Sequence, residues 1–499
     1  MTDRHAPLWA RMFELKDLEG VLGLLSWDEE TYAPSGARPA RGRQTGTVEA
    51  LRHQRLVDPA LGDQIQGALA DGALTAEQHL MAKRLERQRN LAVKVPESLV
   101  KAFAEARSTA LEAWQKAKKE RNFSLMEKEL SEVLRLLAQK ADALGSTTGV
   151  KYDALLDEYE PEMTVATLRP LFAQLRAGLV PLVERIAARG RRPDTSFLSQ
   201  RYDDQKQWDF TMLLLRDLGF DLERGRQDRS SHPFTSAAAP SDVRVTTRIF
   251  EDNPSSAIFS TIHECGHGLY EQGFARDHDR TTLAAAPSMG IHESQSRLWE
   301  NQIGRSRAFW GHYLPMLKAS FPTQLAKVDL EAFHRAINVV EPSLVRVEAD
   351  EVTYNLHIIV RFELEQALLS GDLKVAELPA AWNAKMKEVL GVTPTHDAEG
   401  CMQDIHWAWG AIGYFPTYTL GNLYAAQLVH AYERHHPGLW DDVAKGNFAP
   451  LLGWLRANIH RRGFTASAQQ IVADAVGGPL EIESFLGYLR QKYHALYEL

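Results

Sequence analysis

The sequence predicts a mostly α-helical protein with one small β element. Apolar residues recur at three- and four-residue spacing over most of the 499-residue chain, beginning with Leu8 to Leu25. Strand-like alternation of apolar and polar residues stands out in Asp242 to Arg248, where Val243 and Val245 alternate with polar neighbours. Hydrophobic residues make up 44% of the chain and charged residues 24%, a composition typical of a globular protein with ample core.

Taken in order, the elements fit one folding unit spanning residues 1-499. We divide this unit into an N-terminal helical subdomain of about 1-160, a catalytic region of about 200-420 and C-terminal helices of about 420-499. A turn at Pro34 and Gly36 ends the first helix. Helical spacing predicts further helices over most of 40–145 and over 165–188, 205–218, 298–321 and 344–368, with amphipathic helices after residue 420.

Charge and cysteine content exclude several classes of function. The net charge is −8 and no basic tail is evident, so we expect neither a nucleic-acid nor an anionic-membrane partner. No apolar run approaches the length of a membrane span, and no apolar segment follows the charged N-terminus. Only Cys265 and Cys401 are present, which suits a reducing compartment, and we predict a cytoplasmic protein. Both cysteines are expected to fill core space, although a thiolate ligand from Cys401 stays open.

The segment His263-Glu264-Cys265-Gly266-His267 contains the candidate metal ligands and the candidate catalytic base. Two histidines four residues apart lie on one face of a helix, which is the spacing that a zinc ion needs. Glu264 is rotated about 100° from His263, where it can act as a base on a water molecule without ligating the metal. Asn253 before Pro254 predicts the start of this helix, and Gly273 its end.

A zinc ion held by two histidines needs a third protein ligand. The histidine that a metzincin would supply is replaced by Gly273, so that class is excluded. Glu271 continues the line of the histidines along one helix and cannot surround an ion. Glu293 opens the next helical stretch and can return to the metal, with Glu300 as the fallback.

Two further regions are candidates for substrate contact. The predicted strand before the zinc helix either pairs with an extended peptide or caps the helices. The stretch 400–418 is dense in aromatic, His and Asp residues among glycines, which is more typical of a pocket wall than of a solvated loop. Core packing is the simpler explanation for its Trp409 and Phe415.

The chain contains the motifs His232-Pro233-Phe234, Asp242-x-Arg244-x-Thr246, His263 to His267, His292-Glu293-Ser294-Gln295, Arg346-x-x-Ala349-Asp350-Glu351 and Gly400-x-x-Gln403-Asp404-x-His406-Trp407. Together they resemble the motifs of the carboxypeptidase Taq family of zinc metallocarboxypeptidases. The similarity covers nearly the whole chain, including Trp27-Asp28 and Tyr32 to Gly36. Small departures at Ala33 and Val345 touch no proposed ligand.

This resemblance implies two helical halves flanking a deep substrate groove, and usually a homodimer. It also implies removal of single residues from peptide C-termini with broad specificity. Spacing alone predicts only a zinc hydrolase. We therefore expect peptide substrates and one Zn²⁺ per chain, with Co²⁺ as the alternative metal, held by His263, His267 and Glu293.

Recognition of a terminal carboxylate requires a cation, and a guanidinium fits a carboxylate in bidentate fashion. Arg346, which matches the arginine motif of the family, is the first choice. Arg244 is the alternative, although it is more suited to organising the strand region.

Side-chain chemistry and the family motifs indicate the remaining site residues without ranking them. Tyr414, Tyr418 and His406 are candidate donors to an oxyanion. His232, Gln403 and Asp404 are expected near the substrate. Asp350, His292 and Asp404 can orient metal-binding imidazoles.

Two other functions fit parts of this pattern. An endopeptidase or dipeptidase would use the same ligands, because the motif specifies hydrolysis and not the end of the peptide that is attacked. A non-catalytic, peptide-binding helical scaffold would hold a closed structural metal site. The presence of an intact Glu264 argues against this alternative.

Overall fold

Helices dominate the computed structural model, which describes residues 4–190 and 192–499. A single three-stranded sheet accompanies them in these two ranges, and the predicted fold class, mostly α with a small β element, is confirmed. Within the same ranges, no helix is both long enough and apolar enough to cross a membrane.

The helices vary from one turn to more than six turns in length. The longest, α1, spans 26 residues, and its Pro7 occupies the first turn, where a missing N–H costs nothing. In the described part of the chain the α-helices are α1 Ala6–Thr31, α2 Arg38–Val57, α3 Pro59–Leu69, α4 Ala76–Lys94, α5 Glu97–Glu120, α6 Glu127–Leu144, α7 Lys151–Leu156, α8 Val165–Ala188, α9 Asp204–Asp217, α10 Pro254–Glu271, α11 Met289–Arg297, α12 Arg307–Ser320, α13 Pro322–Leu325, α14 Leu330–Ala336, α15 Tyr354–Ser370, α16 Leu378–Leu390, α17 Pro416–His435, α18 Leu439–Ala444, α19 Ala449–Asn458, α20 Ala468–Val476 and α21 Glu483–Tyr497.

The sheet lies directly before α10 in the chain. Its strands are β1 Gly225–Arg229, β2 Thr235–Ala239 and β3 Asp242–Thr247, in the order β1-β3-β2. β1 runs parallel to β3, and β2 runs antiparallel to it. Val243 and Val245 are fully buried, as their alternation predicts. The two outer strands have little apolar alternation, and the sequence did not reveal them.

Two of the predicted helices have the wrong bounds. The helix expected over 344–368 begins only at Tyr354, and the chain before it forms a loop with a single 3-10 turn, Arg346–Glu348. The backbone N–H of Arg346 donates to Gln403 Oε1 at 2.8 Å, so a side chain replaces a helical partner there. The helix expected over 298–321 is a π-helical segment, Leu298–Ile303, followed after Gly304 by α12.

Apolar side chains form two clusters. The larger contains buried residues between Ala110 and Tyr497, and the smaller joins α1 to α4 through residues such as Met12, Leu61 and Leu85. Cation stacking connects α1 to the sheet, because the Arg244 guanidinium lies 4.1 Å from the ring of Trp27. The division of the unit into subdomains stays a prediction.

Candidate metal centre

Helix α10 places both imidazoles on one side. Asn253 and Pro254 start it as predicted, and it ends at Glu271, with Gln272 as its C-cap. Ile258, Ile262, Cys265 and Leu269 are all buried and form the stripe that faces the core. His263 and His267 border this stripe, and their ring centroids lie 5.0 Å apart.

Helix α11 brings Glu293 to these rings. The hydroxyl of Ser288 accepts a hydrogen bond from the N–H of Ile291 and caps the helix. Gly266 allows α10 and α11 to touch, since a Cβ at this position would lie 2.5 Å from the carbonyl oxygen of Gln295. On the other side of α11, Gly421 of α17 packs against the Glu293 side chain in the same way.

The three predicted ligands converge. Glu293 Oε2 lies 3.7 Å from His263 Nε2 and 3.4 Å from His267 Nε2. Donors at about 2.0–2.2 Å from one tetrahedral ion are separated by about 3.3–3.6 Å. Among the described residues, the ligand atoms of His263, His267 and Glu293 all lie within 4.8 Å of one another, which is metal-ligand spacing. Two imidazoles and one carboxylate therefore fit a divalent metal with an open position.

The other ring nitrogen of each histidine also has a partner. His263 Nδ1 lies 2.8 Å from Glu300 Oε2, so the fallback ligand occupies the side of the ring opposite the other donors. His267 Nδ1 lies 2.6 Å from His292 Nδ1, and His292 Nε2 lies 2.7 Å from Glu271 Oε1. With His267 Nε2 reserved for a metal, its Nδ1–H donates to His292, whose Nε2–H donates to Glu271.

Arg297 connects the two glutamates. Its Nε donates to Glu293 Oε1 at 2.6 Å, and its Nη1 to Glu300 Oε2 at 3.3 Å. Burial opposes ionisation of Glu300, but His263 and Arg297 outweigh it and lower the pKa of this carboxyl to about 2. Glu293 follows the same pattern, with its pKa held well below the usual range chiefly by Arg297 and His263 against burial. Both carboxylates are therefore anionic at neutral pH.

Glu264 lies on the turn between the two histidines and is buried. Its Oε2 accepts a hydrogen bond from Thr235 Oγ1 at 2.7 Å, which connects it to strand β2. Burial raises the pKa of this carboxyl, and that shift brings it closer to the range in which a group both takes and returns a proton at neutral pH.

A second polar cluster surrounds Arg346. Its Nε and Nη2 donate to Asp404 Oδ1 at 3.1 and 2.7 Å, and its Nη1 donates to Tyr354 OH at 2.8 Å. The Arg297 guanidinium, which donates to Glu293, lies 4.7 Å from the centre of the Tyr354 ring. Arg346 is thus separated from the candidate ligands by one tyrosine and one arginine.

Aromatic side chains lie beside this cluster. The rings of Tyr414 and Tyr418 are 5.4 Å apart, and His406 lies 5.4 Å from Tyr414 and 6.4 Å from Tyr418. Burial raises the pKa of Tyr414 to about 12, raises that of Tyr418 well above its usual value and lowers that of His406 to about 4. All three side chains are therefore neutral at pH 7, and both phenols keep the proton needed to donate a hydrogen bond.

The remaining predicted residues have other contacts. His232 is exposed in the loop between β1 and β2. Arg244 forms a two-point ion pair with Asp242, at 2.9 Å for both contacts. Asp350 accepts hydrogen bonds from the N–H and hydroxyl of Thr353 and from the N–H of Val352, all within its own loop. Asp404 faces Arg346 and Arg361, and the imidazole near it is that of His406 at 4.0 Å, so it does not orient His263 or His267.

Sequence reasoning missed several contributors to the two clusters. Arg297 lies four residues after Glu293 on a helix, a spacing that indicates an ion pair. Arg361 follows His357 by one turn in an otherwise apolar run, which indicates a buried charge. Thr235 has no local signal, because its contact with Glu264 depends on how β2 packs on α10.

A helical fold with this donor set and a buried carboxylate beside it defines the class of helical metallopeptidases. The chain belongs to the family described as carboxypeptidase Taq (M32) metallopeptidase, whose model matches residues 8–493. It is therefore a member of a family of peptide hydrolases that use a divalent metal, and the predicted resemblance is confirmed.

Individual relatives agree with this assignment. The chain is 44% identical over 497 residues to thermostable carboxypeptidase 1 of Thermus thermophilus, with 96% of each protein covered. It is 39% identical to carboxypeptidase 1 of Bacillus subtilis, also with 96% of each covered. The crystal structure of a carboxypeptidase from Deinococcus radiodurans matches with a TM-score of 0.98 at 40% identity, with 100% of both chains covered.

Proposed function

We propose that this protein releases single amino acids from the C-termini of peptides with broad specificity, using one zinc ion per chain. The single observation that carries this proposal is the position of Arg346, one tyrosine and one arginine away from the His263, His267 and Glu293 donor set. A cation at that position can bind the terminal carboxylate of a peptide whose last bond lies beside the donors. Co²⁺ is the alternative metal.

A divalent ion bound at the three donors would act as a Lewis acid that polarises the peptide carbonyl and acidifies water. Glu264 takes the proton from the attacking water and returns it to the leaving amine. The hydrogen bond from Thr235 Oγ1 to Oε2 directs the carboxylate and leaves Oε1 available for the proton. The negative charge that develops on the carbonyl oxygen is met by a neutral phenol, from Tyr414 or Tyr418.

The cellular setting and the assembly are also part of the proposal. A net charge of −8 and two buried free cysteines suit the cytoplasm. A homodimer is proposed from the resemblance to the family, and the mass of the protein in solution, by light scattering, tests it against the 56.1 kDa of one chain.

The test is C-terminal trimming of a mixed peptide set, followed by mass spectrometry, on the metal-loaded protein. We expect stepwise loss of single residues from free-acid peptides and none from amidated ones. Chelation abolishes the loss. Glu264→Gln is expected to keep the metal and lower kcat by about three orders of magnitude or more, because the amide cannot accept a proton. Internal cuts would indicate the endopeptidase, and full activity of Glu264→Gln would remove Glu264 from this role.

A further inference from the structure

Arg361 is an arginine that no solvent reaches. It lies on α15 with an exposure of 0%, among apolar neighbours such as Ile358 and Leu364. Burial of a lone guanidinium is strongly unfavourable, so an arginine at this position requires compensating charge and hydrogen bonds. Its presence in the core of a helix therefore calls for an explanation.

Asp404 supplies the compensating charge. Arg361 Nε and Nη2 donate to Asp404 Oδ2 at 2.7 and 2.5 Å, while Arg346 uses the other oxygen, Oδ1. Arg361 Nη2 also donates to Gln403 Oε1 at 2.7 Å, and its Nη1 donates to the carbonyl oxygen of His357 at 2.8 Å. The same Gln403 oxygen accepts from the backbone of Arg346, so one amide holds both arginines in place.

The cluster of Arg346, Asp404 and Arg361 contains two permanent cations and one anion, and carries one net positive charge. Without Arg361, Asp404 would neutralise Arg346 alone, and an approaching carboxylate would meet a neutral pair with an anion inside it. In a site shielded from water, such a difference of one charge is worth far more than at the surface. The half-buried Lys118 is bonded to the carbonyl oxygen of Gln403, on the outer side of this segment.

We propose that Arg361 sets the net charge of the cluster of Arg346, Asp404 and Arg361: by offsetting part of the charge of Asp404, it leaves Arg346 with positive potential for the peptide C-terminus. This inference rests on the proposed function. Arg361 is a positioning residue, since its side chain is fully buried, whereas that of Arg346 keeps an exposure of 6%. Asp404 aligns Arg346, and Arg361 prevents that alignment from cancelling its charge.

Binding without turnover tests the proposal. In the Glu264→Gln background with metal bound, calorimetry gives the Kd of one peptide as its free acid and as its C-terminal amide. Arg361→Gln is expected to raise the Kd of the free acid about tenfold or more and to change that of the amide by less than about threefold. The double variant Arg361→Gln with Asp404→Asn restores one net positive charge, and is expected to recover most of the free-acid affinity.

Recovery of free-acid affinity in the double variant distinguishes an effect of charge from an effect of packing. If Arg361 served only to hold the fold, the double variant would bind no better than the single one, and the free acid and the amide would weaken together. Either result would overturn the proposal, as would an unchanged free-acid Kd in Arg361→Gln. Arg361→Lys serves if the glutamine variant does not fold, because it keeps the charge and should keep the preference for the free acid; loss of that preference in a folded lysine variant also counts against the proposal.

Two further variants complete the design. Lys492 is a buried cation paired with Glu351, and Lys492→Gln should lower the melting temperature without changing the ratio of the free-acid and amide Kd values. Arg346→Gln examines the proposed function itself. If it leaves the free-acid preference intact, the carboxylate anchor lies elsewhere, and that result is distinct from any result at Arg361.

Discussion

His292 shows how much of the candidate metal centre depends on residues that do not touch the metal. It stands between His267 and Glu271 and accepts the Nδ1–H of His267. His292→Leu would leave that N–H without a partner in a buried site and free the ring to rotate. Because such partners orient metal ligands, we expect the dissociation constant of zinc to rise about 10- to 100-fold. Competition with a chromogenic chelator measures it.

Glu271→Gln is the matched control for this prediction. The glutamine oxygen still accepts the Nε2–H of His292, so the zinc affinity should fall less than in His292→Leu. No loss in His292→Leu would show that packing alone orients the His267 ring, and equal losses in the two variants would show that the charge of Glu271 matters more than the hydrogen bond that it accepts.

At the scale of single residues, the sequence predicted site residues that lie close together in the chain and missed contacts between side chains of different helices. His263, Glu264 and His267 follow from the spacing of one helical turn, and the sequence favours Glu293 over Glu271 because three ligands in a line cannot enclose an ion. The roles of these four residues stay predictions. The partnership of Glu271 with His292 joins two helices through side chains 21 residues apart, and no spacing rule links them.

At the scale of elements, the geometry of the candidate metal centre depends on the contact between α10 and α11. Gly266 lies between the two histidines and faces the backbone of Gln295 and Ser296. Gly266→Ala would force the helices apart, because a Cβ would lie 2.7 Å from Ser296 Cα and backbone cannot yield as a side chain does. We expect weaker zinc binding and a loss of stability of about 1–3 kcal/mol, measured by chelator competition and by urea unfolding.

Gly311→Ala is the control for the effect of replacing a helical glycine with alanine where no other helix approaches closely. Gly311 is exposed on α12, and its nearest atom to an added Cβ is Leu330 Cδ2 at 3.9 Å. Alanine should stabilise that helix by about 0.5–1 kcal/mol and leave zinc affinity unchanged. If Gly266→Ala behaved like Gly311→Ala, the close approach of α10 and α11 would not matter for the site.

Helices could be predicted well where caps and periodicity agree, as for α8, whose predicted bounds of 165–188 match the structure. The helix predictions failed where tertiary contacts override helix propensity. Residues 344–353 read as helix, yet the backbone of Arg346 and Leu344 bonds to the Gln403 side chain, 57 and 59 residues away. The π-helical turn at Leu298–Ile303 likewise has no signature in a hydrophobic pattern.

Across the whole molecule, buried titratable groups set how stability depends on pH. Burial lowers the pKa of His334 and His406 to about 4, so the unfolded chain binds more protons than the native protein between about pH 4 and 6.5. Taken alone, these two histidines make stability rise with pH over that range. Burial raises the pKa of Glu160 to about 8 and that of Glu365 to about 7, which has the opposite consequence.

For Glu365 the native carboxyl keeps its proton while the unfolded one loses it near pH 4.5. Its stabilising contribution is complete below that value and is lost as pH rises through about 7. Between about pH 4.5 and 6.5, these two carboxyls offset the two histidines, and above about pH 6.5 the four groups together make stability decline toward pH 8. Each such proton contributes up to about 1.4 kcal/mol per pH unit to the slope.

Glu365→Gln isolates this effect, because glutamine does not titrate. The carboxyl accepts hydrogen bonds from Tyr152, Trp407 and the backbone of Gly413, so the variant should be less stable at every pH. The informative quantity is the slope: between pH 5 and 8 the free energy of unfolding should fall less steeply than in the parent protein. Urea unfolding at matched pH values measures it, with the exposed Glu112→Gln as a control that keeps the parent slope. A parallel shift without a change of slope would mean that Glu365 is already ionised in the native protein, with its three donors outweighing burial.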